Sequence, residues 1–246
     1  MEAYALTDVG QKRSMNQDSV YACTKSIGSL ENLFIVADGM GGHQAGDFAS
    51  NFVVENLVRF FETPYPERDV HGILKEGIRK VNRDLYECTS RDPKLNGAGS
   101  TLVLATIKGS VLYVANIGDS RLYLLREALE QITKDHSYVE ELVAMGKLKR
   151  GSRDYLEKKN IITRAVGVSA QVDTDLFALK LKSGDQILMC SDGLSNMVDE
   201  LEIEYIIRSE DGVESRAKAL VDAANRSGGL DNISVVLVEP QVSEVS

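Results

Sequence analysis

The 246-residue chain is long enough for one large domain or two small ones, and its 43% hydrophobic content is ordinary for a globular protein with a substantial core. Acidic residues outnumber basic residues by 37 to 28, which gives a formal net charge of −9. Such a chain repels polyanions, so a nucleic-acid partner and an anionic membrane surface are both disfavoured.

The sequence also indicates no targeting segment, disulfide framework or zinc site. No apolar run approaches the length of a membrane span, and the first residues do not combine a basic segment with an apolar one, so we expect a cytoplasmic protein. The cysteines, Cys23, Cys88 and Cys190, form no C-x-x-C pair, so neither a disulfide framework nor a zinc site is indicated. None has an arginine six positions later, which excludes the loop of a cysteine-nucleophile phosphatase.

The first 90 residues predict three strands followed by two helices. Strand patterns cover residues 3–9 and 19–22, and an apolar run at 33–37 enters a glycine-rich turn. Apolar residues at helical spacing then cover 44–62 and 69–89.

From Gly99 the period of the pattern changes to that of strands. Three strands rich in valine, leucine and tyrosine, at 100–107, 111–117 and 121–125, predict an antiparallel meander. The charged segment 133–160 has a short helical pattern at 138–145 and a basic run at 147–150. We interpret this segment as a flap beside a site.

The remainder predicts strands at 175–181, 186–190 and 232–238, with helices at 200–208 and 213–226 between the last two. No repeat, low-complexity tract or linker divides the chain. The sequence therefore predicts one α+β domain over 1–240, with largely antiparallel sheets covered by helices and a short tail at 241–246.

Aspartates mark the ends of four predicted strands. Asp38, Asp119 and Asp192 each follow an apolar strand, whereas Asp231 stands just before one. A single Asp-Gly pair often marks nothing more than a turn. Four such carboxylates without a histidine or cysteine pattern instead favour a site for hard divalent cations.

The order of motifs resembles the metal-dependent protein phosphatase 2C (PPM) family in its bacterial form, over about residues 3–239. The segments that carry the resemblance are Thr7-Asp8-Val9-Gly10 with Arg13, Asn16 and Asp18, Val36-Ala37-Asp38-Gly39-Met40-Gly41-Gly42-His43, Gly99-Ser100-Thr101-Leu102, Asn116-Ile117-Gly118-Asp119-Ser120-Arg121, Ile162-Thr163-Arg164-Ala165-Val166-Gly167, Cys190-Ser191-Asp192-Gly193-Leu194, and Gly229-Leu230-Asp231-Asn232-Ile233-Ser234. The resemblance implies a four-layer αββα sandwich with a binuclear Mn²⁺ or Mg²⁺ centre between the sheets.

The resemblance also assigns metal ligands. Asp38 would bridge both ions, the Gly39 carbonyl would help to hold the first ion, and Asp192 and Asp231 would hold the second. A third, looser ion would fall on Asp119 with help from Asp192.

Two more residues receive roles from the same resemblance. Asp18 would lie behind the ligands and orient metal-bound water. Arg13 would bind the phosphate, and its planar guanidinium matches phosphate oxygens better than a lysine does.

The implied activity is hydrolysis of phosphoserine and phosphothreonine in proteins by a metal-activated water, without a phospho-enzyme. Two ions serve such a reaction because they activate water and stabilise the oxygens of an in-line displacement. The implied partners are phosphoproteins, including a cognate Ser/Thr kinase, and we expect a monomer.

One departure concerns the proton donor. Many eukaryotic members have a histidine directly after the Asp-Gly, where this chain has Met40. His43, three residues later, could donate the proton to the leaving group, or it could pack against the next helix or cap it.

Two other functions remain open from the sequence. A phosphatase-like domain that binds phosphoprotein without turnover is disfavoured, because all four metal aspartates and Arg13 are present. A haloacid-dehalogenase-type phosphatase needs an Asp-x-Asp pair, and the segment at Asp38 lacks the second aspartate.

Overall fold

The computed structural model describes residues 1–42, 45–63, 69–209 and 211–242. The strands are β1 (Glu2–Asp8), β2 (Asp18–Cys23), β3 (Leu33–Met40), β4 (Gly99–Ser100), β5 (Leu102–Lys108), β6 (Val111–Ile117), β7 (Arg121–Leu125), β8 (Leu129–Gln131), β9 (Asp175–Lys180), β10 (Gln186–Cys190) and β11 (Ile233–Glu239). The helices are α1 (Ala45–Glu62), α2 (Val70–Arg91), α3 (Tyr138–Ala144), α4 (Arg153–Lys158), α5 (Asp192–Ser195), α6 (Glu200–Ile207) and α7 (Val213–Arg226), with a 3₁₀ turn at Pro93–Leu95.

The strands form two antiparallel sheets. One has the order β1-β11-β10-β7-β8, and the other has the order β2-β3-β5-β6-β9, with β4 paired to β3. The predicted α+β sandwich of largely antiparallel sheets is confirmed.

The strand sequences explain why the sheets stack between helices. In β3, Leu33 and Ile35 pack toward α1 and α2, whereas Phe34 and Val36 point into the core between the sheets. Because successive side chains alternate between faces, a strand that is apolar at every position is buried on both sides. Strand β11 behaves in the same way, so one face packs on α6 and α7 and the other faces the sheet that contains β3. The result is a four-layer sandwich.

The predicted meander is wrong at its third strand. Strands β5 and β6 pair as expected, but β7 pairs with β10 and β8 in the other sheet. The chain crosses between sheets at Gly118, whose φ of +102° is one that glycine adopts readily. Asp119 therefore lies at a crossover, and local strand pattern cannot reveal this because a strand's partner is set by distant residues.

The segment 133–160 contains two short helices rather than one, α3 and α4. Its two ends are tied together by the bridge between Ser137 and Ile162 and by the hydrogen bond from Tyr138 N to Ile161 O at 2.8 Å. Helix α4 was not predicted, because six residues are too few to show a helical period.

Among the described residues, no helix has both the length and the apolar character that crossing a membrane would require.

Candidate metal centre

Asp18 and Asp38 stand opposite one another on paired strands. They are direct partners in the antiparallel register of β2 and β3, which places their side chains on the same face of the sheet. Both lie at the edge where the two sheets meet. A pair of carboxylates this close needs positive charge or protons to offset its repulsion.

The backbone around Asp38 is held from three sides. Its N–H donates to Thr101 Oγ1 at 2.9 Å, and its carbonyl accepts from Thr101 N at 2.8 Å. Gly39 N donates to Gln17 O at 3.0 Å. A Cβ at Gly39 would lie 2.0 Å from the Gly46 carbonyl oxygen, so only glycine lets α1 approach this closely. The backbone at Asp38 and Gly39, which still belongs to β3 although the sequence predicted a turn after residue 37, is thus fixed before any ligand binds.

The other sheet supplies Asp192 and Asp231. Asp192 opens α5 directly after β10, and Asp231 precedes β11. A Cβ at Gly193 would lie 1.9 Å from Asn232 O, so the glycine allows these two chain segments to touch. Of the Asp192 oxygens, Oδ2 accepts from Asn196 Nδ2 at 2.9 Å, whereas Oδ1 is buried without a hydrogen-bond partner.

Arg13 reaches this second group of carboxylates. Its Nη2 donates to Asp231 Oδ2 at 2.7 Å, and its side chain is half exposed. The guanidinium therefore stands at the open side of the site, with one edge held and the remaining donors available to solvent or an anion.

Two polar side chains connect the sheets behind the aspartates. Ser191 Oγ donates to Asp18 Oδ2 at 2.7 Å and accepts from Ser234 N at 3.0 Å. The Asn232 amide donates to Val9 O and Met15 O, both at 2.9 Å, while its Oδ1 accepts from Gln17 N at 2.9 Å. The loop that carries Arg13 is fastened in this way to the start of β11.

Burial and mutual repulsion raise the pKa of these carboxyls. Burial, followed by the charges of Asp192 and Asp231, raises the pKa of Asp18 to about 7 against the hydrogen bonds from serines. Burial and four neighbouring aspartates raise the pKa of Asp38 well above its ordinary value. Burial and then the charge of Asp231 raise the pKa of Asp192 to about 6.

Asp119 lies beside the same cluster. Burial, then the charge of Asp192 and of Asp135, raises the pKa of its carboxyl to about 7. Asp119 and Asp192 line one cavity of about 160 Å³, whose other wall comes from α4 and the residues after it. The predicted third position is therefore close enough to Asp192 to interact with it electrostatically.

Arg121 balances part of this negative charge without reaching the cluster. Its guanidinium is held by both oxygens of Asp135, at 2.7 to 3.1 Å, and donates to Tyr123 Oη at 2.8 Å. A partly buried cation fixed in this way lowers the cost of placing Asp119 and Asp192 nearby.

His136 closes the base of the flap. Its Nδ1 accepts from Gly118 N at 3.0 Å, and its Nε2 lies 3.1 Å from Asp175 Oδ2. Arg164 donates to Asp175 Oδ1 at 3.0 Å. The start and the end of the flap are thereby anchored to the crossover that carries Asp119.

The flap also reaches Asp192 through a chain of hydrogen bonds. Lys159, which follows α4, donates from Nζ to Asn196 Oδ1 at 2.7 Å, and Asn196 in turn donates to Asp192 Oδ2. This contact orients Asp192 so that its unpartnered Oδ1 remains available.

Sequence reasoning missed Asn196 and Lys159 as contributors to the site. Their only signal was the four-residue spacing between Asp192 and Asn196, which is visible only once α5 is known. Ser191 and Asn232 stood inside the quoted motifs but had no assigned role. His43, the possible proton donor, lies outside the described residues.

The donor set fits hard divalent cations. The carboxylates Asp18, Asp38, Asp119 and Asp192 interact electrostatically, and Asp192 Oδ1 is buried without a donor. Within the described ranges, no three histidine, cysteine or acidic side chains are placed so that they could hold a metal ion together. Mg²⁺ does not need such a group, since one or two carboxylates bind it while waters complete its shell.

The sequence model of protein phosphatase 2C matches residues 10–228. The chain belongs to the protein phosphatase 2C family. Among its relatives, the serine/threonine phosphatase stp of Listeria monocytogenes is 38% identical over 99% of this chain and 98% of the relative. Protein phosphatase PhpP of Streptococcus pneumoniae is 40% identical over 97% of each chain.

Solved structures of this phosphatase family share the fold at full length. The serine/threonine phosphatase of S. agalactiae superposes with a TM-score of 0.91 at 36% identity, covering 98% of this chain and 99% of that one. The catalytic domain of the serine/threonine phosphatase PstP in complex with two manganese ions superposes with a TM-score of 0.83 at 36% identity, over 96% of each chain.

Proposed function

We propose that this protein phosphatase 2C family member is a metal-dependent serine/threonine phosphatase that hydrolyses phosphoserine and phosphothreonine in proteins. The observation that carries the proposal is the meeting of aspartates from two different sheets, one of which, Asp192, has its Oδ1 buried without a hydrogen-bond partner. The relatives named as serine/threonine phosphatases support the substrate class.

The residues that would hold two Mn²⁺ or Mg²⁺ ions are Asp38 as a bridge, the Gly39 carbonyl, Asp192 and Asp231. The relative PstP, which binds two manganese ions, supports this number and kind of ion. When bound, the ions supply a water nucleophile at neutral pH and charge stabilisation for the phosphoryl oxygens.

The chain's own residues bind and orient the substrate around those ions. Arg13 stands at the open side and would grip the phosphate with the guanidinium donors that Asp231 does not use. Asp18, held by Ser191, would orient the attacking water as a hydrogen-bond acceptor. A water nucleophile leaves no role for a phospho-aspartate, so no covalent enzyme intermediate forms.

Asp119 is the residue proposed for a third, weaker ion, with help from Asp192. Its place in the cavity between the cluster and α4 supports this assignment. A site with one or two carboxylates binds such ions loosely, because few protein oxygens compensate for dehydration.

We further propose one catalytic domain over 1–240, with 133–160 as a flap that selects among phosphoproteins. The cavity shared by Asp119, Asp192 and α4 supports the position of the flap beside the site. A cognate Ser/Thr kinase as a substrate, a monomeric state and a cytoplasmic location stay predictions.

The test is hydrolysis of phosphoserine and phosphothreonine peptides by protein stripped with EDTA and then reloaded with Mn²⁺. Activity should vanish on stripping and return with Mn²⁺. Asp38→Asn should be the most damaging ligand change, because a bridging carboxylate serves both ions. Asp222→Asn, an exposed aspartate on α7, makes the same chemical change away from the site and should retain full activity.

Two results would contradict the proposal. Full activity in metal-free buffer would exclude the metal mechanism. Trapping of an acid-stable phospho-enzyme would favour a covalent phosphatase, and peptide binding without phosphate release at any Mn²⁺ concentration would favour a binding domain.

A further inference from the structure

Helix α2 carries a stripe of cations on its exposed side, away from the aspartate cluster. Lys75, Arg79 and Arg83 are spaced four residues apart, and all three are exposed. Four residues advance about 6 Å along a helix, so the stripe extends over about 12 Å. In a chain of net charge −9, three aligned cations form a local field of opposite sign.

These three cations differ from their neighbours on the same helix. Lys80 and Arg91 are neutralised within α2 by Asp84 and Glu87, at 2.6 and 3.1 Å. In contrast, Lys75, Arg79 and Arg83 form no ion pair within the part of the chain that the structure describes. Their charges are therefore available to an external partner.

A groove runs beside the stripe. It has a volume of about 430 Å³ and lies between the three cations and the segment 170–174. Asn82 fixes its width, because this buried amide donates to Ser169 O at 3.0 Å and accepts from Gly167 N at 2.8 Å. The groove is thus formed before a ligand arrives, which lowers the entropic cost of binding.

We propose that this groove docks an acidic, extended segment of a protein partner. Alternate residues of an extended chain are about 6.6 Å apart, close to the spacing of about 6 Å between successive cations on α2. An Asp-x-Asp-x-Asp segment would place one carboxylate at each cation. The opposite wall carries Asp173, which repels any polyanion, but a peptide can offset this repulsion by donating backbone N–H groups to the carboxylate, whereas a polyphosphate has no such donors.

One segment of the polypeptide runs from the proposed phosphatase site to the docking groove. The segment 163–174 leaves the base of the flap, where Arg164 binds Asp175, and continues as the wall of the groove. A phosphoprotein held at the groove would have its acidic segment outside the catalytic cleft. This part of the inference rests on the proposed function, and it names a class of substrate, namely phosphoproteins with a separate acidic stretch.

The binding test needs no catalysis. A fluorescent unphosphorylated peptide with aspartate at three alternate positions is titrated with wild-type protein at low salt, followed by anisotropy. The double variant Arg79→Gln/Arg83→Gln should raise the Kd about tenfold, since two exposed ion pairs of up to about 1 kcal/mol each are lost. Binding should also weaken between about 0.05 and 0.5 M salt.

Matched controls separate the groove from general charge. Arg91→Gln/Lys94→Gln removes the same two charges from the far end of α2 and the turn after it, and it should leave the Kd unchanged. Lys75→Gln alone should raise the Kd about threefold, which provides a second variant if the double variant unfolds. The same peptide with asparagine at the three positions should not bind.

Kinetics then tests the link to the site. On a phosphoserine peptide with the acidic stretch, the double variant should raise KM about tenfold with kcat unchanged, and p-nitrophenyl phosphate turnover should be unaltered. Equal peptide affinity for wild type and double variant would overturn the inference, as would tighter binding of an oligothymidylate of three charges. If the wild-type protein bound the acidic peptide but hydrolysed no phosphopeptide, the proposed phosphatase function would be contradicted, whereas the proposed docking groove would be supported.

Discussion

Asn196→Ala should weaken Mn²⁺ binding without removing any proposed ligand. The amide donates to Asp192 Oδ2 at 2.9 Å and accepts from Lys159 Nζ at 2.7 Å. Hydrogen bonds to charged groups contribute about 1.5–3 kcal/mol, so Asp192 would lose most of what orients Oδ1 toward an ion. A loss of that size corresponds to an Mn²⁺ affinity lower by about 10- to 100-fold, the range found when a partner of a metal ligand is removed.

Calorimetric titration of metal-stripped protein with Mn²⁺ measures this directly. Lys159→Met is the matched control, because it removes the ammonium that donates to Asn196 but keeps the hydrogen bond from the Asn196 amide to Asp192. Losing a nearby positive charge should leave Mn²⁺ affinity unchanged or slightly higher, so the two variants move in opposite directions. An unchanged Kd for Mn²⁺ in Asn196→Ala would refute the reasoning. Equal loss of Mn²⁺ affinity in both variants would indicate that the contact between the flap and Asn196 supports the overall fold and does not orient Asp192.

Arg13→Ala should raise KM for small phosphate substrates about tenfold with kcat less affected, if the guanidinium binds ground and transition states alike; a fall in kcat alone would assign it to the transition state. Asp119→Ala should spare the two tight ions in a stoichiometry measurement while lowering kcat on phosphopeptides, and wild-type turnover at high and low Mn²⁺ would make Asp119 structural. Lys147→Ala/Lys149→Ala should change the preference among phosphopeptides of differing charge while p-nitrophenyl phosphate turnover stays within a few-fold; equal loss on every substrate would argue that this segment is structural. Because burial raises the pKa values of the clustered aspartates from 3.8 to about 6 to 7, the metal-free fold should be most stable below the ordinary value and lose stability as pH rises from there to about 7, whereas Mn²⁺ affinity should rise with pH as the carboxyls release protons. Calorimetry in buffers of different ionisation enthalpy should detect those protons, and Mn²⁺ affinity independent of pH would contradict the clustering.

The spacing of apolar residues predicted most strands and helices, because side chains repeat every two residues in a strand and every 3.6 residues in a helix. The apolar runs that end at Asp38 and Asp192 are strands, and the helix predicted at 213–226 has those bounds. The position of Asp119 was harder, because the turn after β6 carries the chain into the other sheet. Which sheet a strand joins depends on long-range packing, and no local period encodes it.

The basic run at 147–150 shows how a charge pattern can conceal a contact. Arg150 binds both oxygens of Glu140, and Tyr155 Oη donates to the same carboxylate at 2.7 Å. Tyr155 therefore joins α4 to α3, and Arg150 is held on the same carboxylate although it belongs to the basic run of the predicted flap. Arg150 and Glu140 are ten residues apart and follow no helical spacing, so no local pattern indicates their contact.

The hydrogen bond from Ser191 to Asp18 has a consequence for how the protein folds. Asp18 and Asp38 belong to one sheet, whereas Ser191 and Asp192 follow a strand of the other. A folding intermediate with only one sheet formed would hold only some of the carboxylates and bind cations weakly. An ion that binds the native state alone stabilises that state by mass action, so Mn²⁺ should stabilise the contact between the two sheets. We expect Mn²⁺ to slow the separation of the sheets more than it slows the fraying of the helices in the two outer layers.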